Sequence, residues 1–482
     1  MAKPQSPKSQ QLPLQLNGSN TFGRYQKISN AQTFNMILSD GWLVPFAGSN
    51  YVDLIGSLGG RGLYASVGLN AMVAVVDNGI YTINTGLEVL RIGSMATFGG
   101  DVFIAENNAQ QIAICDKQNI YILDYSSGSG HLSVANTTGW LPGYVSFQDT
   151  RFVSVDLLTN QWRLSNNNDG TTWPADSFHV GSFQTKADMP LAALPMPSKG
   201  NQLLILGSVV TESWYDAGLQ LFPYQRNSFS NIDYGCLNSA TIASNESMIV
   251  WLAGNSVSGP VILVTDGQGI EQISNDGINF KFAELTNPKD SYGFLFKQDG
   301  HLIYVITFVT DNLTYAYDFN TKKFFTLTDQ NLNYHPARKV VAFNNTYYYV
   351  STNDGNLYEF NSKFTAFNTI DKKGNSLIWE IPRIRICPAL RRPDASRFVC
   401  SSTQFTIEQG IDDIIQRVDL SISINGGQSY SNVYSQVLNE RAHFQNRLIF
   451  WLNCAQNTLI HQFRFYSTGR FVVSEGVANI YQ

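Results

Sequence analysis

Charge is scarce in this chain. Asp, Glu, Lys and Arg make up 14% of its 482 residues, against about 25% in an ordinary soluble domain. The formal net charge is −5, which gives no drive for gripping nucleic acid through counterion release. The five cysteines, Cys115, Cys236, Cys387, Cys400 and Cys454, are odd in number and contain no C-x-x-C pair. Reduced, buried thiols are therefore expected rather than a disulfide framework or a zinc site. No run of about 18 apolar residues occurs, so no membrane anchor is expected. The opening MAKPQSPKSQQLPLQ lacks the apolar segment of a signal peptide. The expectation is a soluble protein made in a reducing compartment. Sustained 3.6-residue periodicity is almost missing, which argues against a helical fold.

Chemical motifs are missing too. The histidines, His131, His179, His301, His335, His443 and His461, never fall within four residues of one another. There is no H-E-x-x-H, no G-x-S-x-G and no P-loop. A Ser/His/Asp triad has no local support. No cofactor, metal or catalytic residue is expected.

What the chain does have is uncharged polarity and aromatics, including 23 Tyr and 30 Phe. These suit strands and turns. AMVAVVDNGIYTI (71–83) reads as strand, Asp77-Asn78-Gly79, strand, because both central residues of a type I′ turn need positive φ. The same form recurs at 112–124, 151–165, 202–215, 248–266, 301–319 and 345–360, making seven hairpins in all. Hairpins at this spacing over a long stretch point to a β-propeller of four-stranded blades, with six blades favoured over seven. No kelch or WD signature is visible.

Composition divides the chain further. Residues 1–20 are rich in Pro, Gln, Ser and Lys. They read as an extended arm, disordered alone and ordered against a neighbouring subunit. Residues 21–370 carry the propeller. Residues 371–482 begin with a linker and a basic stretch, then continue as strands of a size suited to a β-sandwich. Arg383, Arg385, Arg391, Arg392 and Arg397 form a basic run with Lys372 and Lys373 upstream. Arg383 and Arg385 alternate and so share one face of a strand. A solvated or protein-facing edge is favoured over a phosphate-binding stripe.

Two segments resemble degenerate Asp-box turns. NNNDGTTW (166–173) has Asn168 where Asp is usual, and SINGGQSY (423–430) has Asn425. Their expected task is structural, with a side-chain oxygen bonding nearby amides. A sialidase-type hydrolase would also need an arginine cluster on the propeller axis beside a Tyr nucleophile. Asp266 to Asp276 does not match the spacing of a calcium loop and reads as a turn.

The stretch TESWYDAGLQLFPYQR (211–226) is the most distinctive. Pro223 cannot sit mid-ladder, so the aromatics belong to a turn and an edge. Glu212, Trp214, Tyr215, Gly218, Phe222, Pro223 and Arg226 resemble a motif of the packaged-DNA stabilisation proteins of short-tailed bacteriophages. These are also called head-completion, tail accessory or hub/stopper proteins. Tyr224 departs mildly, standing where Phe is usual. Segments 151–178, 188–194, 236–259 and SINGGQSYSN with RLIFWLNCAQNTLIHQFRFYST are similar to further stretches of the family in the same order. The resemblance implies a β-propeller with a C-terminal β-rich domain in a structural virion protein. It also implies a hexameric ring beneath the portal-bound adaptor (the head-to-tail connector), retaining DNA. The partners it implies are that adaptor, a tail needle or tail-tip protein, and tailspikes or tail fibres. Assembly would take place in the host cytoplasm, and no specific nucleic-acid binding is implied. The alternatives are a glycan-binding or glycan-hydrolysing propeller of sialidase type and a propeller scaffold of the kind found in host cells.

Overall fold

The computed structural model describes residues 9–23, 30–128, 130–196, 199–220, 222–227, 231–371, 373–409, 417–437 and 445–481. Each sequence hairpin supplies the two central strands of a four-stranded antiparallel blade. Blade 1 runs from Gly60–Ser66 through Ala71–Val76 and Gly79–Ile83 to Val89–Ser94. Blades 2, 3 and 4 begin with the inner strands Phe103–Glu106, Pro142–Gln148 and Pro190–Pro195. Blade 5 has a broken inner strand, Gly235–Cys236 and Ala243–Ser244, interrupted by the 3-10 turn Ser239–Thr241. Blade 6 begins with Ser291–Gln298 and blade 7 with Ala337–Phe343. The inner strands of successive blades contact one another, except that Gly235–Cys236 of blade 5 meets Gln202–Gly207, the second strand of blade 4, and Ala337–Phe343 returns to Gly60–Ser66. The ring therefore has seven blades, the less favoured of the two counts read from the sequence.

The ring is closed by distant chain. Blade 7 takes its fourth strand, Gly48–Leu54, from the N-terminal region, antiparallel to Asn356–Asn361. The blades are held together by apolar clusters between neighbouring sheets. Between blades 3 and 4 the cluster includes Val153, Trp162, Leu203, Ile205 and Trp214. One short α-helix, Asp276–Ala283, occurs among the described residues and is N-capped by Asn275, which accepts from the Ile278 N–H at 3.1 Å.

The C-terminal part is a two-sheet β-sandwich whose strands come from both chain ends. One sheet pairs Phe398–Gln409 with Gln445–Gln456 and Phe471–Tyr481, and continues to Trp42–Pro45 and Met36–Ser39. Ser9–Leu14 also pairs with Phe471–Tyr481, in register from Ser9↔Tyr481 to Leu14↔Gly476. The other sheet joins Arg383–Ile386, Ile460–Tyr466, Arg417–Ser423 and Tyr434–Val437, and is continuous with blade 6 through Gln32–Phe34. Leu14, Phe405, Phe450, Phe463 and Val473 meet in the core between them. Residues 9–16 are thus ordered on their own chain, which corrects the expectation that a neighbouring subunit holds the arm. A strand that buries Leu12, Leu14 and Leu16 needs no second copy to offset its ordering entropy. Residues 1–8 lie outside the described residues.

Two buried histidines make the fold sensitive to acid. His335 and His461 are enclosed, and burial pushes their imidazoles down to about 4 and about 3. Neither ring nitrogen of His461 has a hydrogen-bond partner, and its ring stacks on Phe463. Between an unfolded value near 6.5 and these folded values, the unfolded chain binds more protons. Stability is therefore present above about pH 6.5 and falls progressively below it. The urea midpoint should drop between pH 7.5 and pH 5, and His461→Phe should flatten that slope. An unchanged slope in the variant would show that His461 is not one of the responsible groups.

Candidate functional site

Glu212 anchors the motif at 211–226. It lies in Thr211–Asp216, the third strand of blade 4, with no exposed side-chain surface. Its Oε1 accepts from the Gln184 N–H at 2.8 Å and from the Thr185 N–H. Its Oε2 accepts from Trp214 Nε1 at 2.9 Å. Gln184 and Thr185 follow Val180–Ser182, the outer strand of blade 3. Glu212 therefore fastens the crossover between blades 3 and 4. Arg226 Nη1 lies 3.8 Å from the same carboxylate and donates to Thr185 Oγ1 at 2.9 Å.

The aromatics of the motif surround Trp162 of blade 3. Ring centroids of Trp214, Phe222 and Tyr224 lie 5.4, 5.2 and 5.4 Å from it, all close to edge-to-face. Gly218 has φ +62 and donates its N–H to Asp216 Oδ1 at 2.8 Å, forming the turn. Pro223 precedes the outermost strand, Tyr224–Arg226, where a missing ladder donor costs nothing. Tyr215 points the other way and donates to Gln225 Oε1 at 2.7 Å. The motif is an interlock between blades.

Buried acids that accept from turn N–H groups recur within blades 2, 3 and 4. Asp188 accepts from the N–H groups of Ser208, Val209 and Val210 and so ties the entry of blade 4 to its central turn. Asp156 accepts from Leu141 and Leu158 N–H, and Asp116 from Gln118 N–H and Thr97 Oγ1. Acids placed this sparsely do not stand out in the sequence.

The basic run disperses. Arg383 and Arg385 are 0% and 1% exposed, so they do not form a solvated or partner-facing edge. Arg383 donates to Ser467 O at 2.8 Å and to Thr365 O. Arg385 donates to Gln15 O at 3.0 Å, Ser19 O at 3.0 Å and Thr33 Oγ1 at 2.9 Å. It staples the N-terminal segment to the sandwich. A Cβ at Gly18 would stand 2.3 Å from the guanidinium of Arg385, so a larger residue there would displace that side chain from its acceptors. Burial pushes the Arg383 guanidinium down to about 10. Arg392 is half-buried with Nε 3.4 Å from Asp394. Arg391 and Arg397 are exposed.

The two Asp-box-like segments are turns. In the first, Asp169 rather than Asn168 supplies the oxygen, accepting from Thr171 N–H at 2.9 Å, while Trp173 Nε1 donates to Gly170 O. In the second, Asn425 Oδ1 accepts from Ser429 N–H and Ser423 Oγ from Gly427 N–H. Asp266 accepts from Gln268 and Gly269 N–H in a plain turn. Among the described residues no three His, Cys, Asp or Glu side chains group as a metal site.

Two features escaped the sequence. The first is a cavity of 490 Å³ on the propeller axis, lined among others by Asp101, Lys117, Asn238, Lys289, Tyr292 and Arg338. Asp101 lies 3.0 Å from Lys117 Nζ and 2.6 Å from Arg338 Nη2. Burial would raise its carboxyl, but the two cations outweigh burial and hold it below the ordinary value. Among the described residues the one lining arginine is Arg338, whose guanidinium lies over the Tyr292 ring at 5.0 Å, and Arg61 of blade 1 is bonded to the carbonyls of Asp77, Thr97, Gly99 and Gly100. Two engaged arginines fall short of the cluster a sialidase-type site requires.

The second feature brings Ser39, His301 and Asp318 into line. His301 Nδ1 is 2.9 Å from Asp318 Oδ2, and its Nε2 is 3.3 Å from Ser39 Oγ. Asp318 is also bonded by Thr321 Oγ1 and the Asn320 N–H. The array links the hairpin at 36–45 to blade 6, away from the axial cavity. His301 and Asp318 face each other across the hairpin at 301–319, but Ser39 is remote in sequence, so no local pattern could reveal the third member.

No curated protein matches the chain. Among solved structures, it is similar to a streptogramin B lyase at 10% identity, covering 66% of this chain and 97% of that one, with a TM-score of 0.44. A virginiamycin B lyase from Staphylococcus aureus gives 10% identity, 65% and 99% coverage and a TM-score of 0.45. The Pan2 WD40 domain of Neurospora crassa gives 8% identity, 63% and 89% coverage and 0.41. The family described as Bacteriophage P22 Gp10, beta-propeller, matches residues 26–365. That span takes in the interlock at 211–226 and all seven blades, and the chain belongs to this phage family of proteins that stabilise packaged DNA.

Proposed function

We propose that the protein is the tail hub that closes the DNA exit channel of a short-tailed phage. Six copies form a ring under the portal-bound adaptor, which it joins to the tail needle or tip and to laterally placed tailspikes or fibres. The protein is made and assembled in the host cytoplasm and does no chemistry of its own. The observation that carries this reading is the family match across the propeller. Charge supports closure by protein contacts rather than by holding DNA. Each copy adds −5 to the ring, and the basic run is broken up by burial and ion pairing, leaving Arg391 and Arg397 for an acidic surface on the adaptor.

Particles assembled without the protein should fill with DNA and then lose it, read as nuclease-sensitive DNA. Reversing Arg391 and Arg397 to Glu should weaken assembly on the adaptor, more so at low salt. Full retention of DNA in particles lacking the protein would overturn the closure reading. Tight duplex binding by the isolated protein, lost in the reversed variant, would reassign these arginines to DNA.

A further inference from the structure

Lys339 is the residue the interlocks and the family motif leave unexplained. It sits in Ala337–Phe343, the inner strand of blade 7, and lines a second axial cavity of 250 Å³. Lys339 and its neighbour Arg338 line the two axial cavities in turn. Its ammonium donates to Ala240 O at 3.2 Å and, more weakly, to Gly293 O at 3.5 Å. No carboxylate lies within ion-pair distance of it among the described residues. An ammonium has three donors, so at least one has no protein acceptor here. Burial pushes this group down to about 8. The side chain is half-buried and faces the cavity, and its charge has no carboxylate in contact among the described residues, so an apolar residue of similar length would pack the inner strand more cheaply.

The surroundings add to the imbalance. Lys117, Lys289, Arg338 and Lys339 line the two cavities, against Asp101 and Asp290. Asp101 is already held by Lys117 and Arg338, and Asp290 accepts from Thr310 Oγ1 at 2.6 Å. The axis thus keeps a local positive surplus within a chain of net charge −5. The interrupted inner strand of blade 5 opens the site, because its 3-10 turn places Ser239 on the cavity wall beside the N-capping Asn238. A concave site with a few converging polar groups and an unmatched charge is a binding site for a small ligand of opposite sign.

We propose that the 250 Å³ cavity on the propeller axis binds a small carboxylate- or phosphate-bearing anion, with its charged end on Lys339 and with Lys117 and Arg338 adding positive charge from the neighbouring cavity. The site is built only from residues of one chain's own propeller axis and does not draw on the hub reading.

Isothermal titration of the full-length protein with citrate and with inorganic phosphate tests it. At least one anion should bind at one site per chain, more weakly as sodium chloride is raised. Lys339→Met should weaken that binding at least tenfold while leaving the melting temperature equal or higher. Lys117→Met, in the neighbouring cavity, should weaken it less. Absence of binding by both anions overturns the proposal. Binding that survives in both variants overturns it too, since the anion would then be on another surface. If Lys339→Met melts lower than the parent, the lysine is a structural strut and the proposal fails on that ground.

Discussion

Removing residues 1–16 should unfold the sandwich while the propeller keeps its sheets. The deleted segment carries the strand Ser9–Leu14, paired along its whole length with Phe471–Tyr481. Leu12, Leu14 and Leu16 go with it, 8%, 2% and 0% exposed. Each such leucine contributes about 1.5–3 kcal/mol. The loss therefore reaches the order of 5 kcal/mol, as large as the whole stability of many domains. It also leaves Arg385 without Gln15 O and bares the edge of the strand that carries Ala478 and Ile480. Calorimetry should show a low-temperature transition in the truncated chain, and proteolysis should cut first beyond residue 371. Leu14→Asp should do the same in a full-length chain. Superimposable melting curves would mean that the strand adds nothing to the sandwich.

This dependence on the N-terminus is what the sequence conceals. The segment SQQLPL has only two buried side chains, at Leu12 and Leu14, among polar neighbours. Nothing local says that a strand of the last eleven residues of the fold waits for it. The hairpins were legible because turn chemistry is local, although the first turn is not the expected type I′: of Asp77, Asn78 and Gly79 only Asp77 has a positive φ, +54. Blade closure was not, because Gly48–Leu54 and Asn356–Asn361 meet across most of the chain. The alternation of Arg383 and Arg385 correctly put both on one face. Periodicity could not say that this face turns inward, since their acceptors are backbone carbonyls, which have no sequence signature. The axial cavity draws residues from six blades, and Ser39 likewise meets His301 only in three dimensions. The motif at 211–226 was readable as a motif, and its turn and edge were placed correctly. Its partner Trp162 could be named only once the blades were in contact.

Glu212→Ala should be the most damaging single change within the propeller. The carboxylate is fully buried and takes three N–H donors, from Gln184, Thr185 and Trp214. Truncation leaves all three without this acceptor, at about 1–3 kcal/mol for each that water cannot reach, with Trp214 buried, Thr185 half-buried and Gln184 on an exposed residue. Arg226 also loses the only acidic group near its guanidinium among the described residues, though it is partly exposed and this adds little. A drop of about 3–5 kcal/mol follows, the range seen when one side of a buried charged network is removed. Glu212→Gln separates charge from geometry. Its carbonyl oxygen can still accept from the crossover or from Trp214, but its amide must face one of those donors, so it should fall between the parent and Glu212→Ala. The crossover at 184–185 would then come free of blade 4, and Trp162 would lose the constraint that holds Trp214 against it at 5.4 Å. Tryptophan fluorescence should shift to longer wavelength, and amide exchange should quicken in Val180–Ser182 and Tyr224–Arg226 before it does in the more distant blade 1. If Glu212→Ala melts with the parent, or if exchange quickens evenly around the ring, Glu212 is not the clamp between blades 3 and 4.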